Sequence, residues 1–451
     1  MEKPAKEESN APAGAQNPSH LFGGVDSISS LPDEMLHHIL SFVPTNVAIT
    51  TSVLSKRWRH VWCKTPYLSF PHITSSSIES ILETLDSYTA AKIMRFHLHV
   101  DSETWEDSER SNHVDSLIKF AISRNVEKLS LVLKAYYVFP DFFFSNPSLK
   151  QLIGDSLNYM RPKCTVSWTS LQNLSLSNSS LDESFPKLMS GSPMLKSLTL
   201  QSCSLSCIDL SESPRLRRLD LEFTNSSPRK CHIVAPHIHY LRMIDFTQKY
   251  SLADVSSLIE ANIDTMYFLP RFWCTQDYPS KDDYQVMMQT MLNELQNVEN
   301  LTVGLSFLQM LSIAEFHGVH FPTLKVKTLT LKTTILRSAV PGIAKLLQNS
   351  PELSKIFFYK TEDWNSAVEK YVNRYIDPQD PQDLIFPAKS AFKVAQPDLV
   401  ASFMELLLRN SRTLKTLVLQ LRSCLNTTNY DELSQIALTL SHKNKVSIVL
   451  K

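Results

Sequence analysis

Residues 195–205 read LKSLTLQSCSL and match the pattern LxxLxLxxCxL at every position. The first six positions of this pattern, with Ile, Val, Met or Phe replacing some leucines, recur along the chain. The recurrences begin at residues 93, 126, 149, 171, 216, 238, 263, 298, 326, 353 and 414. Between 126 and 263, successive starts are 21 to 25 residues apart. One unit of this length cannot bury its own apolar face, so neighbouring units are expected to stack.

The period lies within the roughly 20 to 29 residues that are typical of leucine-rich repeats, in which each unit is a short strand followed by a helix or an irregular return. Two stretches between the predicted strands have helical apolar spacing, namely Phe185, Leu188 and Met189, and Ile343, Leu346 and Leu347. The predicted fold class is therefore α/β, with a curved parallel sheet on the concave face of a solenoid. Repeat boundaries after about residue 265 stay open, because the spacing there becomes irregular.

Side chains alternate along a strand, so the apolar residues of LxxLxL point into the solenoid and the residues between them face outward on the concave sheet. Aromatic and arginine side chains are the usual anchors of protein interfaces. We therefore predict a substrate-contact surface that consists of Arg218, Glu222, Tyr240, Arg242, Tyr267, Phe357 and Tyr359. The alternative is that these positions hold assorted polar residues without a binding role.

A compact apolar block precedes the repeats, and residues 30–62 read SLPDEMLHHILSFVPTNVAITTSVLSKRWRHVW. A first helix is predicted with Ser30 as its cap and an apolar stripe spaced i, i+3, i+4 and i+7. The stripe consists of Leu36, Ile39, Leu40 and Val43. Pro44 ends this helix, a second short helix follows, and a third is expected to place Trp58 and Trp62 on one face.

Residues 26–62 resemble the F-box of plant proteins in their Leu-Pro-Asp-Glu start, their SFVPT turn and their TSVLSKRWRHVW end. The resemblance implies docking to the Skp-family adaptor of a cullin-RING ubiquitin ligase. The residues implied in docking are Leu31, Pro32, Leu36, Ile39, Leu40, Leu54 and Trp58. The alternative is that the block only forms a small core, in which Ile39, Val43 and Trp62 are expected to pack. The basic residues Lys56, Arg57, Arg59, His60 and Lys64 are interpreted as a solvated face.

The chain is expected to divide into five segments. Residues 1–24 are rich in Ala, Pro, Ser, Asn and Glu and are predicted to be disordered. The other segments are the F-box at 25–70, the repeat solenoid at 71–360, an insertion at 361–398, and C-terminal repeats with a cap at 399–451. The stretch from Ala401 resembles the FBD region of plant F-box proteins. Val446, Ile448 and Leu450 alternate as a final capping strand would.

The composition argues against nucleic-acid and membrane binding. Lys plus Arg and Asp plus Glu both number 45, so no global basic field attracts phosphates. No apolar run approaches the ~20 residues of a membrane span, and the N-terminus lacks the apolar centre of a signal peptide. The seven cysteines show no regular pairing, which favours reduced thiols. We therefore expect an intracellular protein of the nucleus, the cytoplasm or both.

The sequence also predicts a protein without catalytic residues or a cofactor. Only eight glycines are present, and the motifs GxGxxG, GxxxxGK[ST], GxSxG and HExxH are missing. A grouping of Cys203, Cys207, Cys231 and His232 lacks the CxxC spacing of zinc sites. His97 and His99 share one face of a predicted strand, but two histidines make an incomplete metal site. We interpret them as ordinary polar positions.

Three functional hypotheses follow from a docking block joined to a repeat array. The leading one is a substrate-recognition subunit of an SCF-type ubiquitin ligase, in which the F-box binds the adaptor and the concave face binds an unknown target protein. The second is a ligand-dependent receptor, whose repeat pocket holds a small hormone-like molecule against residues such as Arg242, Tyr267 and Phe357. The third is a repeat scaffold that assembles proteins without ubiquitin transfer.

Overall fold

The structure is a computed structural model, and the elements that it describes follow the two patterns of the sequence. It describes residues 28, 30–74, 77–101, 108–133, 137–157, 160–222, 231–244, 250–264, 281–361, 397–421 and 427–451. The predicted insertion at 361–398 lies almost entirely outside the described residues.

Three short helices form the N-terminal block, as predicted. They are α1 (Asp33–Leu40), α2 (Thr45–Thr50) and α3 (Val61–Lys64), with 3-10 turns at Thr51–Val53 and Trp58–His60. The predicted cap was wrong, because α1 begins after Pro32 and not after Ser30. Pro32 and Pro44 each precede a helix with an extended ψ near 150°, and no side chain caps either helix. Proline suits this position because the first helical turn needs no amide donor from it.

The repeats form seventeen strands within the described residues. In chain order they are β1 (Tyr67–Ile73), β2 (Arg95–Val100), β3 (Lys128–Leu133), β4 (Gln151–Asp155), β5 (Asn173–Ser177), β6 (Ser197–Gln201), β7 (Cys207–Asp209), β8 (Arg218–Glu222), β9 (Cys231–Val234), β10 (Tyr240–Ile244), β11 (Tyr250–Asp254), β12 (Glu260–Asp264), β13 (Asn300–Gly304), β14 (Thr328–Lys332), β15 (Lys355–Tyr359), β16 (Thr416–Gln420) and β17 (Ser447–Leu450). Fourteen of them build one parallel sheet in the order β1-β2-β3-β4-β5-β6-β8-β10-β12-β13-β14-β15-β16-β17, and β7, β9 and β11 form a smaller one.

The main sheet is held in register by its leucines. Leu198 of β6 is paired with Leu219 of β8, which is paired with Leu241 of β10, and all three side chains are fully buried. Because the same repeat position occupies the same rung, a one-residue slip would turn an entire apolar row toward solvent. Burial of each leucine contributes about 1.5–3 kcal/mol relative to exposure. The predicted capping strand is also present, since β17 pairs with β16.

Eleven of the twelve predicted repeat starts lie two residues before a strand, and the start at 263 was wrong. The strand there is β12, and its leading apolar residue is Leu258. Ala261 occupies the second apolar position of this repeat and is fully buried. Alanine is not one of the large apolar residues of the pattern. The predicted start of this repeat therefore lies five residues after the observed one. The outward residues of β12 are therefore Glu260, Asn262 and Asp264, and Tyr267 lies outside the described residues.

Helices supply most return segments of the early and late repeats. They are α4 (Ile78–Leu85), α5 (Ser108–Ser123), α6 (Phe185–Ser190), α7 (Lys281–Leu295), α8 (Leu305–Phe316), α9 (Val340–Gln348), α10 (Pro397–Asn410) and α11 (Thr427–Asn444). The two predicted helical stretches are confirmed as α6 and α9, whose apolar side chains are buried. Among the described helices, none combines the length and apolarity that a membrane crossing requires.

The helical block joins the sheet through a short connection whose two backbone carbonyls are both hydrogen-bonded. Only Thr65 and Pro66 separate α3 from β1. The Thr65 carbonyl accepts a 2.7 Å hydrogen bond from the buried hydroxyl of Tyr88, and the Pro66 carbonyl accepts one from the Met94 amide at 2.8 Å. The buried hydroxyl of Thr45 on α2 accepts a 2.8 Å hydrogen bond from the amide of Ser69 on β1. The first strand of the sheet is thus attached directly to the helices.

Candidate functional site

The N-terminal helices expose an unusual share of large apolar side chains. Of the fourteen exposed large hydrophobic residues in the described part of the chain, seven fall within residues 28–54. We call these seven the N-terminal apolar surface, which consists of Ile28, Met35, Ile39, Phe42, Val47, Val53 and Leu54. Single exposed hydrophobic residues are normal on any protein, whereas a concentration of them marks an interaction site.

The residues implied in docking divide into two groups. Leu36, Leu40 and Trp58 are 0–4% exposed and lie in the core that holds the helices together, so they offer little surface to a partner in this structure. Ile39 is 41% exposed and Leu54 is 65% exposed, so the expectation that Ile39 packs internally was wrong. Leu36 and Leu40 are one helical turn apart and point inward, which leaves Ile39 on the flank of α1.

The remaining residues of the block have mixed positions. Leu31 is half-buried against the core and Pro32 is exposed. Trp62 is buried and Val43 is half-buried, in agreement with the expected internal packing.

One ion pair closes the helical block, and it uses a residue of the basic cluster. Arg57 Nη2 donates to Asp33 Oδ1 at 2.6 Å and also to the carbonyl of Leu31. The hydrogen bond from the Arg57 guanidinium holds the pKa of the Asp33 carboxyl below its usual range. The pair joins the start of α1 to the turn before α3. Four other members of the cluster face solvent, namely Lys56, Arg59, His60 and Lys64.

Four of the predicted substrate-contact residues come together on β8 and β10. Arg218 forms a fork to the buried carboxylate of Asp220, with Nε–Oδ2 and Nη2–Oδ1 distances of 2.7 and 3.1 Å. The same guanidinium lies 3.8 Å from the ring centre of Tyr240 on the neighbouring strand. Arg242 lies 3.4 Å from Glu222. We call these residues, with Gln201, the β8–β10 cluster.

The cluster is pre-arranged by its own contacts. Gln201 Nε2 donates to Glu222 Oε1 at 2.9 Å, so Glu222 is held from both neighbouring strands. Tyr240 is paired with Arg218 and Arg242 with Asp220 across the sheet. Side chains fixed in this way lose little freedom when a partner binds, which favours affinity.

The cluster yields a stability prediction. Replacing Arg218 with methionine leaves the Asp220 carboxylate, 10% exposed, without its forked partner. We expect the free energy of unfolding to fall by about 1–2 kcal/mol, since Arg218 itself is half exposed. Denaturant unfolding should also show that the double variant Arg218→Met, Asp220→Leu recovers most of this loss. Equal stability of the single variant and the wild type would contradict the assigned role of the fork.

The other predicted contact residues lie elsewhere. Phe357 and Tyr359 are on β15, where they line a separate shallow cavity of about 370 Å³ with Thr302, Thr330 and Lys332. Four strand spacings separate β10 from β15 in the sheet. At ~4.8 Å each, that is roughly 19 Å. Among the described residues, the predicted surface therefore falls into two patches, and the cavity at the second patch extends to Glu260 on β12.

A larger cavity lies where the helical block meets the sheet, and the sequence did not predict it. Its volume is about 500 Å³, and its lining includes Phe42, Tyr67, Arg95, Lys128 and Ile153. The lining residues come from the turn after α1 and mostly from the outward positions of β1 to β4. Only the docking of the helices onto the sheet brings them together, so no local sequence signal marks them.

Cys203 has a structural role that the repeat pattern predicts. Its thiol is buried and donates to the carbonyl of Leu176 at 3.3 Å. Burial raises the pKa of this thiol to about 11, so it stays protonated at neutral pH.

Comparisons with known proteins agree with this architecture. Residues 28–69 match the F-box domain, and residues 84–333, more than half of the chain, match a domain described as the At1g61320/AtMIF1 LRR domain. The chain is 50% identical over 448 residues to the putative F-box/LRR-repeat protein At5g02930 of Arabidopsis thaliana, covering 95% of this chain and 94% of that protein. It is 47% identical over 449 residues to the F-box/LRR-repeat protein At5g02910 of the same plant, covering 95% of each.

Similarity to solved structures is more distant. A chain of the yeast Rad7 and Elc1 complex is 12% identical with a TM-score of 0.27, covering 93% of this chain and 85% of that chain. The APL1 leucine-rich repeat domain is 11% identical with a TM-score of 0.23, covering 72% of this chain and 84% of that one.

Proposed function

This chain belongs to the plant F-box/LRR-repeat proteins, and from that membership we propose that it is the substrate-recognition subunit of an SCF-type ubiquitin ligase. In this proposal the F-box binds a Skp-family adaptor, and through it a cullin and a RING protein. The concave repeat face binds a target protein. The proposal implies an intracellular location, in the nucleus or the cytoplasm.

The observation that supports docking most directly is the N-terminal apolar surface. Protein interfaces have an apolar core, and residues such as Leu54 and Ile39 supply one without any rearrangement of the buried Leu36 and Trp58. Exposed side chains of this size gain about 25 cal/mol for each Å² that a partner covers. The surface is carried by short helices whose buried residues belong to one hydrophobic cluster with those of the sheet.

The shape of the repeat face favours a protein target. Fourteen strands at ~4.8 Å spacing extend the outward rows over roughly 60 Å. The β8–β10 cluster and the patch at Phe357 and Tyr359 are too far apart for one small molecule to touch both. This argues against the pocket in which Arg242 and Phe357 hold a hormone-like ligand, whereas a folded protein spans both patches.

The proposed receptor needs no catalytic residue. Holding a target next to a ubiquitin carrier raises the effective concentration of its lysines, and proximity of this kind accelerates a reaction by itself. A repeat scaffold without ubiquitin transfer is the competing hypothesis. The two differ in one outcome, since only a ligase receptor shortens the lifetime of the protein that it binds.

The docking proposal is tested with two charge insertions in the full chain, Ile39→Asp and Leu54→Asp. Both residues are exposed, so the fold should tolerate the change, while an aspartate buried in an apolar interface weakens binding. We expect each variant to reduce the affinity for a purified Arabidopsis Skp-family adaptor by roughly 10- to 100-fold. Binding is measured by surface plasmon resonance with the receptor immobilised.

The matched control is Leu438→Asp, which changes an equally exposed leucine on α11, far along the chain from the F-box. It should bind the adaptor as the wild type does. If Ile39→Asp and Leu54→Asp also bind with wild-type affinity, the N-terminal apolar surface is not the docking site.

A further inference from the structure

Strand β1 contains an irregularity at its C-terminal end that redirects one histidine. Phe70 is paired with Leu98, but the next pair joins Ile73 to Val100, so two residues of β1 face one residue of β2. This is a β-bulge, a feature that proteins often use to re-aim a side chain near a functional site. His72 is the bulged residue, and its φ of 58° lies in the left-handed region that few side chains adopt.

The bulge places His72 on the same side of the sheet as two residues of β2. Phe70 and Ile73 both remain buried, so the extra residue between them is turned outward. On β2 the buried residues are Leu98 and Val100, which leaves His99 facing outward. Asp101 follows at the end of the strand, where its amide donates to the Ile73 carbonyl at 3.0 Å.

Three ligand-type side chains therefore converge. His72 Nδ1 is 2.9 Å from Asp101 Oδ2, and His99 Nε2 is 3.1 Å from Asp101 Oδ1. The centres of the two imidazole rings are 4.7 Å apart. One possible ligand atom of each of the three residues lies within 4.8 Å of those of the other two. His99 Nε2 is buried and makes no hydrogen bond to a described group, despite its short distance to the carboxylate. His72 Nδ1 hydrogen-bonds Asp101, so within this group His99 Nε2 is the buried ligand atom that is left for an ion.

We propose that His72, His99 and Asp101 form a binding site for a divalent transition metal of the Zn²⁺ type. Imidazole nitrogen and carboxylate oxygen are ligands that Zn²⁺ prefers, and atoms bound at ~2.0–2.1 Å to one tetrahedral ion lie roughly 3.3–3.4 Å apart. The imidazole–carboxylate separations of 2.9 and 3.1 Å are already near this value, and the third separation, which is at most 4.8 Å, shortens when the side chains rotate toward one ion. His72 is free to rotate in this way because its side chain is 73% exposed.

The site has three protein ligands, which leaves a fourth tetrahedral position for water or for a side chain of a bound protein. It lies on the outward face of the first two strands, on the same sheet as the β8–β10 cluster. The inference is independent of ubiquitin transfer, because it rests on the geometry of β1 and β2 alone.

The test is a Zn²⁺ titration of the purified full chain under reducing conditions, in which binding is measured by isothermal calorimetry. His72→Asn removes the imidazole while asparagine tolerates the left-handed backbone, and Asp101→Asn removes the charge at constant size. His239→Asn is the matched control, since it changes an exposed histidine on another repeat. We expect one Zn²⁺ per wild-type chain. The first two variants should lose at least 10- to 100-fold in affinity, the range already seen when residues behind a metal ligand are changed.

Two further measurements distinguish a site from incidental binding. Zn²⁺ should raise the unfolding temperature of the wild type and of His239→Asn, but not that of His72→Asn, because only a native-state site stabilises the fold. Bound Co²⁺ should show no thiolate charge-transfer band. Wild-type affinity in both His72→Asn and Asp101→Asn, or a thiolate band, would overturn the proposal and identify His72 and Asp101 as an ordinary surface pair.

Discussion

Replacing Trp168 with alanine is expected to lower the free energy of unfolding of its repeats by about 3–5 kcal/mol. Trp168 is fully buried in the return between β4 and β5. Its indole nitrogen donates to the Phe143 carbonyl at 3.0 Å, and its ring lies 5.7 Å from that of Phe143 and 6.0 Å from that of Phe144. Alanine leaves both a cavity and an unpaired buried carbonyl. Chemical denaturation followed by hydrogen exchange of β4 to β6 measures the loss.

The matched control for this substitution is Trp168→Phe, which keeps an aromatic ring but removes the donor. We expect it to cost only about 1–2 kcal/mol, mostly from the unpaired Phe143 carbonyl. A smaller loss for alanine than for phenylalanine would show that ring packing does not stabilise this repeat. Since each repeat contacts only its neighbours, the effect should be largest in the adjacent strands.

The second large effect is expected at Gly342, where α9 lies against α8. A Cβ at this position would lie 2.2 Å from the Leu308 carbonyl oxygen and 2.8 Å from the Ser312 amide nitrogen. Both atoms belong to the backbone of α8, so the helices must separate to accept Gly342→Ala. Separation would also weaken the 2.9 Å hydrogen bond from the Gly342 amide to Ser312 Oγ. We expect a loss of about 3 kcal/mol in denaturant unfolding.

Gly318→Asn provides the comparison for Gly342→Ala. Gly318 has a φ of 72°, and nothing lies within 4 Å of the position that its Cβ would occupy. Asparagine tolerates this backbone conformation, so its cost should be below about 1 kcal/mol. Equal losses at the two glycines would mean that crowding between α8 and α9 does not limit the fold.

The positions of most strands were predictable because one physical requirement repeats. Each unit must bury apolar residues at the same three positions, and these are the three apolar positions of LxxLxL. The prediction failed where a small or polar residue fills an apolar position, as Ala261 does in β12. Strand β1 was missed for the same reason, since the buried Thr65 stands where the pattern has leucine. The burial of Ala261 and Thr65 depends on residues of the neighbouring repeat, and a pattern within one repeat contains no information about them.

The functional surfaces were predictable only in part. Alternation along the strands correctly placed Arg218, Tyr240 and Phe357 on the outward side of the sheet, but the pairing of strands decides which of them come into contact. In α1, the helical period predicts that Leu36, Ile39 and Leu40 lie on one apolar face. It does not predict how much of that face is buried, and in the structure Leu36 and Leu40 are buried while Ile39 is exposed.

The same limit applies to the candidate metal site. His97 and His99 are visible as a pair in the sequence, whereas His72 joins His99 only through a bulge. Proline within a strand indicates a sheet edge or a bulge, so Pro71 is a signal for the irregularity, but the sequence does not show that it brings His72 to His99.

Under the proposed function, the short connection between α3 and β1 influences which lysines of a target receive ubiquitin. The hydrogen bonds to the Thr65 and Pro66 carbonyls, with that between Thr45 on α2 and Ser69 on β1, restrain the helical block relative to the first strand. Under the proposed function, a target on the repeat face is presented to the ubiquitin carrier at one angle and one distance. The lysine that receives ubiquitin is then determined by its position relative to the carrier, and not by the residues that surround it.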